Sequence, residues 1–233
     1  MITVPKEVII DEIELLRRLV PLAGARVVEL GCGRADLARR MLERQLVASV
    51  RAFEVDEVQH ARNLADPHPE GLRFMAGSAD NIPLPDASCD VVIMLKSLHH
   101  VPMPGLDRAF AEIRRVLVSG GYLYVSEPVY AGNFNEIVRL FHDEGSVRAA
   151  AYHALQRAIA AGFLTHVEET VFSTPLTFRD FDDFFDRIVR VTHSTHILEG
   201  ETLAEVRRRF NRFVTPEGAR FVRDMRVNVL RRP

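Results

Sequence analysis

Gly31 and Gly33 directly follow a short apolar run, Arg26–Leu30, and a helical period resumes at Leu37, Ala38, Met41 and Leu42. A strand that meets glycines and turns into a helix lets backbone approach a ligand closely, with the unbonded amides of the helix start facing its polar end. Such a bend suits an anion or a carboxylate. Glu54 lies about 20 residues beyond the bend, near the end of a second apolar run, where an acid can accept hydrogen bonds from two ribose hydroxyls; Asp56 competes for that role. Glu29 adds a carboxyl beside the bend, useful near a ligand ammonium and repelled by a pyrophosphate. His99 and His100 come after a further apolar run, and imidazole is the usual proton carrier near neutral pH. His100 is the first choice as the catalytic proton carrier, with His99, Glu127 and Tyr130 as its companions around a substrate. The plainer alternatives are a histidine loop bonded to backbone and a Glu127 that caps the turn before Pro128.

Positioning these residues requires a particular order of elements. Val8, Ile9, Ile13, Leu16, Leu19 and Val20 predict a first helix, stopped by Pro21 and Gly24. Residues 26–30, 50–55 and 72–76 read as strands, residues 57–64 as a helix, and the wholly apolar 91–95 as a central strand covered on both faces. Leu106, Phe110, Ile113 and Leu117 give the next helix, which Gly120 and Gly121 are expected to end before a strand over 122–126. This repeated β-α order predicts an α/β fold with a doubly wound, mostly parallel seven-stranded sheet, whose ligand crevice lies at the carboxyl ends of the strands. Residues 133–162 read as mainly helical, interrupted near Gly145, and too long for a simple connection. They are expected to cover the substrate. A strand over 166–173, a helix over 178–191 with Phe181, Phe184, Phe185 and Ile188 inward, and a strand over 226–230 complete the sheet, one of the last two strands running antiparallel. The organisation is one domain over 1–233: a leading helix to residue 25, a cofactor-binding core at 26–128, a helical insertion at 129–164 and a C-terminal completion at 165–233.

The stretch Val27-Val28-Glu29-Leu30-Gly31-Cys32-Gly33 resembles the first motif of class I S-adenosylmethionine-dependent methyltransferases. Further pieces follow in family order. The loop GSADNIPLPD from Gly77 to Asp86, the run from Asp90 to Leu95 and Leu98-His99-His100-Val101 resemble the ubiquinone-biosynthesis-like (type 11) branch, as does Arg114-Arg115-Val116-Leu117 with Gly120-Gly121. The likeness covers about residues 27–128, and several motifs in order are more specific than one glycine pattern. It implies a Rossmann-like fold that takes S-adenosyl-L-methionine and releases S-adenosyl-L-homocysteine. By that resemblance Glu29 and the backbone of Gly31, Cys32 and Gly33 hold the methionine end and Glu54 the ribose, with Val55 beside it in the cofactor site. Ser78 and Ala79 meet the adenine, and Leu95 the sulfonium side. Ala35 stands where many members carry another glycine; Ser78 replaces a frequent aspartate, which leaves the adenine contact to Asp80 or weakens it.

The whole chain narrows the rest. At 233 residues with 47% hydrophobic and 27% charged content and a net charge of -2, it reads as an ordinary globular protein and calls for no nucleic-acid partner. The beginning lacks the basic start and unbroken apolar stretch of a secretion signal, no segment is long enough to span a bilayer, and two cysteines make no disulfide framework; a cytoplasmic setting is expected. Cys32 lacks a nearby histidine to make it a nucleophile, and His193 with His196 lacks partners at metal-ligand spacing, so no metal is expected. The C-terminal arginines raise an RNA or phosphorylated acceptor, but interspersed acids and the helical spacing of Phe210, Phe213 and Phe221 favour a solvated or homodimer-facing helix. The expectation is methyl transfer to a small organic acceptor by in-line displacement. Its rivals are an NAD(P)-dependent oxidoreductase and a cofactor-binding protein without turnover; against the former, Asp36 occupies the third glycine position of the dinucleotide fingerprint.

Overall fold

The computed structural model of the chain describes residues 6–190 and 198–233. Its first half alternates regularly: α1 (Glu12–Leu19), β1 (Arg26–Leu30), α2 (Asp36–Glu43), β2 (Ser49–Glu54), α3 (Glu57–Ala65), β3 (Leu72–Ala76), β4 (Cys89–Leu95), α4 (Leu106–Val116) and β5 (Leu117–Pro128). Then come α5 (Asn133–Val138), α6 (Gly145–Ala160), β6 (Thr165–Phe178), α7 (Phe181–Phe184), α8 (Gly200–Phe210), β7 (Val214–Thr215) and β8 (Gly218–Arg231). Strand order is β3-β2-β1-β4-β5-β8-β6, with the two-residue β7 paired to β8. Strands β1 to β5 pair in parallel, and the apolar β4 takes the centre of the row, as its sequence requires.

β8 runs against both neighbours. The Gly120 amide bonds to Arg232 and the Val129 amide to Asp224, so numbers rise along β5 as they fall along β8. Glu169 meets Asn228 and Ser173 meets Asp224, which reverses β8 against β6 in the same way. The sheet is therefore the expected Rossmann-like one, mostly parallel with an antiparallel strand.

By compactness the described residues fall into two units. The larger holds Asp11–Glu127, Val147–Thr170 and Arg226–Pro233. Its core joins Val28, Leu30, Val92, Met94, Leu123, Val125 and Leu230 of the sheet to Phe110 and Ile113 of α4 and to Ala151, Ala154 and Leu155 of α6. Arg115 spends its guanidinium on the Ile82 and Leu84 carbonyls, Glu112 and Asp86, while Glu112 accepts the Ile82 amide. This clasp ties the GSADNIPLPD loop to α4 and gives the arginine of that motif its structural reason. The smaller unit holds Pro128–Ser146, Val171–Met225 and the stretch up to Ile10. Phe134, Phe178, Phe181, Phe184, Phe210 and Phe221 fill it, several in edge-to-face pairs such as Phe178 with Phe184 at 5.4 Å.

Several local expectations need correction. The first helix starts only at Glu12, because the Asp11 carboxylate caps the Ile13 amide, whereas Val8 and Ile9 pair with Ser173 as extended chain. Gly120 and Gly121 do not end α4; they lie inside β5, where the partners of Cys89 and Val91 jump from Leu117 to Tyr122. A Cβ on Gly121 would sit 2.9 Å from the Asp90 carbonyl, so glycine is needed for strand contact at this bulge. The helix expected over 178–191 is only α7 followed by a π turn at Phe185–Val189, while β6 and β8 are each longer than their apolar pattern suggested. His193 and His196 lie outside the described residues. Among the described residues no helix is long and apolar enough to cross a membrane.

Candidate functional site

The carboxyl ends of β1, β2, β4 and β5 gather the acids, the glycine bend and the histidines within the larger unit. At Gly31 the backbone turns with φ +71, and a Cβ there would lie 2.6 Å from the Cβ of Ser97, so the bend nests against the end of β4. The Ser97 hydroxyl donates to the Leu30 carbonyl at 2.6 Å and locks this contact. Ala35 also takes a left-handed φ of 57 just before α2; its methyl is fully buried, which offsets part of the strain.

The bend is not a row of free amides. Gly31 and Cys32 both donate to the Phe53 carbonyl, at 3.0 and 2.9 Å, and Gly33 donates to Glu54 Oε2 at 2.7 Å. The expectation that these amides await an anion is corrected accordingly: neighbouring β2 already satisfies them. Glu54 also accepts the Val55 and Asp56 amides on Oε1, at 2.8 and 2.9 Å. Three backbone donors thus hold its carboxylate at the bend and leave about one of its four lone-pair positions for a ligand hydroxyl. Asp56 spends its carboxylate capping α3 through the Val58 and Gln59 amides. Asn63, which nothing in the sequence singled out, is 1% exposed and donates to the Gly33 carbonyl at 2.7 Å.

Glu29 is the most unusual group here. It is 3% exposed at the end of β1, and it supplies the acceptor that the N-cap residue Ala35 lacks, receiving the Ala38 amide of the first turn of α2. Its Oε2 has no hydrogen-bond partner. Burial, reinforced by the negative charges of Asp36 and Glu54, pushes its pKa up to about 8, against the opposing pull of the Ala38 amide and Lys96. A buried acid with an unused oxygen is matched by a cationic donor. Burial, with Glu29 and Glu54 adding negative charge, also pushes the Cys32 thiol far up, which removes it as a nucleophile.

On the adenine-side loop, Ser78 donates to Asp80 at 2.5 Å and Arg108 pairs with the other Asp80 oxygen; together they hold that carboxyl below its ordinary value. Ala79 is buried, Leu95 half-buried and Val55 exposed. After β4 a single 3-10 turn, Leu98–His100, carries both histidines. His99 is 5% exposed and its Nδ1 bonds to Glu127 Oε2, while Glu127 Oε1 accepts the Leu98 amide at 2.8 Å. His100 is exposed, its ring 4.1 Å from that of His99. Tyr130 belongs to the smaller unit, where its hydroxyl donates to Asp143 at 2.7 Å.

Residues 28–125 match the family model described as a methyltransferase domain. Those residues form a methyltransferase domain. A phthiotriol/phenolphthiotriol dimycocerosates methyltransferase of Mycobacterium ulcerans is 33% identical over 125 residues, 50% of this chain and 44% of that protein. A sterol 24-C-methyltransferase of Gibberella zeae is 31% identical over 160 residues, 63% of this chain and 41% of that one. The chain spans less than half the length of these curated relatives. Among solved structures, a Bacillus halodurans protein superposes with a TM-score of 0.63 at 19% identity, covering 96% of this chain and 99% of that one. The cyclase SpnF, at 0.58 and 21%, covers 94% and 79%, so the shared fold by itself does not name a reaction. Within residues 28–125, Glu29 keeps a buried oxygen without a partner, and Glu54, held by backbone amides, keeps capacity for one further donor.

The elevated pKa of Glu29 has a stability consequence. An acid whose pKa rises from 4.5 unfolded to about 8 folded stabilises the native state below 4.5, and this contribution is lost as pH climbs through 8. Glu29→Gln keeps the shape without the titration. Its Tm relative to the native sequence is expected to rise by ~5 °C or more between pH 5 and pH 8.5. Parallel Tm curves for the two proteins across that range would show that Glu29 does not titrate there.

Proposed function

We propose that this protein transfers the methyl group of S-adenosylmethionine to a small organic acceptor. The observation that carries the reading is the buried, unpartnered Glu29 oxygen beside a bend whose amides are already bonded. A nicotinamide dinucleotide needs free amides for its pyrophosphate and gains nothing from a buried acid. An amino-acid ammonium gains a partner from Glu29, and a ribose hydroxyl gains one from Glu54. Ser78, Ala79 and Leu95 then border the purine and sulfur ends, and Gly31, Cys32, Gly33 and Val55 shape the wall around them.

When bound, the sulfonium supplies an activated methyl with a good leaving group, so alignment and exclusion of water do much of the catalysis. The chain's part is to place the acceptor and to manage its proton. Here Glu127 favours His99 over His100: a carboxylate on Nδ1 fixes the imidazole tautomer and leaves Nε2 as the basic nitrogen. His99 is then the proton acceptor from a hydroxyl or ammonium substrate, Glu127 its positioning residue, and the exposed His100 a wall of the acceptor space. An RNA acceptor has less support, since Arg208 and Arg209 pair with Glu205, and Arg231 and Arg232 bond the Gly120 and Leu117 carbonyls.

Calorimetric titration with S-adenosylmethionine, S-adenosylhomocysteine and NADH tests the cofactor directly. The first two are expected to bind and NADH is not; Glu54→Ala is expected to weaken the first two about 10- to 100-fold. NADH binding alone would sink the reading. For the proton, methylation of metabolites from a cell extract is expected to fall as acid protonates the base. His99→Gln is expected to lower the rate about 100-fold and to abolish that pH limb while cofactor affinity stays unchanged. An unaltered pH profile in the variant would remove His99 from the reaction.

A further inference from the structure

The larger unit holds a second polar group beside the Glu127–His99 pair. With the Val129 amide bonded to Asp224, the antiparallel register sets Arg226 of β8 across from Glu127 of β5. Both side chains face α6, because Glu127 shares a strand face with Leu123 and Val125, and Arg226 with Leu230, in the core that includes Ala151 and Leu155. Arg226 sits over the Tyr152 ring of α6 at 4.2 Å. The Tyr152 hydroxyl donates to Glu169 at 3.0 Å and Asn228 donates to the same oxygen at 2.6 Å. The platform beneath the guanidinium is thus pinned from α6, β6 and β8.

The guanidinium is left without a hydrogen bond of its own among the described residues. Its Nε is buried and unpartnered, and the nearest Glu169 oxygen is 4.0 Å from it, beyond hydrogen-bond reach. The side chain is 30% exposed, so it is held in place and yet reachable. An arginine fixed by a ring with its donors unused is a ready fork for a planar oxyanion, which it grips through two parallel N–H bonds. We propose that Arg226 binds the carboxylate of the methyl acceptor, so that the acceptor is a small hydroxy- or amino-carboxylic acid whose reactive end faces His99. Tyr152, Glu169 and Asn228 are positioning residues for Arg226. This rests on the methyl-transfer reading above.

The test uses the full chain with S-adenosylmethionine and a protein-free cell extract in two arms, untreated and with its carboxylates converted to neutral methylamides. Products are sought as a mass gain of one methyl group. The expected result is carboxylic-acid products in the untreated arm and their loss in the amidated arm. Arg226→Met, which keeps the stem on Tyr152, is expected to raise KM for the acceptor about 30-fold or more with cofactor affinity unchanged, and Arg226→Lys to recover part of the loss. Equal product in both arms, or an Arg226→Met protein with the native KM, would overturn the proposal while leaving methyl transfer intact. Absence of S-adenosylmethionine binding to the native protein would instead overturn the methyl-transfer reading, and this inference with it.

Discussion

The buried carboxyl of Glu29 is the constraint around which the end of β1 and the start of α2 are arranged. It stands at the tip of a central parallel strand, 3% exposed, where removing its charge from water costs far more than one amide bond returns. Two features keep it there. The first turn of α2 needs an acceptor, because Ala35 offers no side-chain cap, and the Ala38 amide finds one in Glu29. The second is the unfilled oxygen, which has no structural reason to remain buried unless something else arrives to meet it.

The glycine bend acquires a different meaning in that light. Its tight passage past Ser97 brings backbone close to the ligand space, but its amides serve β2 and Glu54. A bend with spent amides, the Glu54 carboxylate beside it and a buried Glu29 that gives up its proton when a cation meets it is the reverse of a phosphate cradle. It favours a ligand that is cationic at one end and rich in hydroxyls further along. Glu54 therefore works in two directions, ordering the bend through Gly33 while keeping acceptor capacity for one further donor.

Much of the fold was legible because its determinants are local. Apolar runs of strand length, glycines after β1 and a helical period in α4 located most of the first five strands and the helices among them to within a few residues. The acids at the ends of β1 and β2 were legible for the same reason. What escaped were contacts made across the sequence. Asn63 reaches Gly33 from α3, Arg108 reaches Asp80 from α4, and Glu127 selects His99 over its neighbour; no spacing rule encodes such meetings. Gly120 and Gly121 misled because a glycine pair after a helix signals a stop and a strand bulge equally well. The front half of β6 is exposed, so it lacked the alternation that marks a half-buried strand.

The central claim is that Glu29 takes up the ammonium of an amino-acid-bearing cofactor, and proton release on binding tests it most directly. Titrating S-adenosylmethionine calorimetrically at pH 7 in buffers of different ionisation enthalpy counts the protons exchanged. Since burial holds the Glu29 pKa at about 8, pairing with the ammonium should release about one proton, and Glu29→Gln should release none. Binding with no difference in proton release between the two proteins would contradict the account.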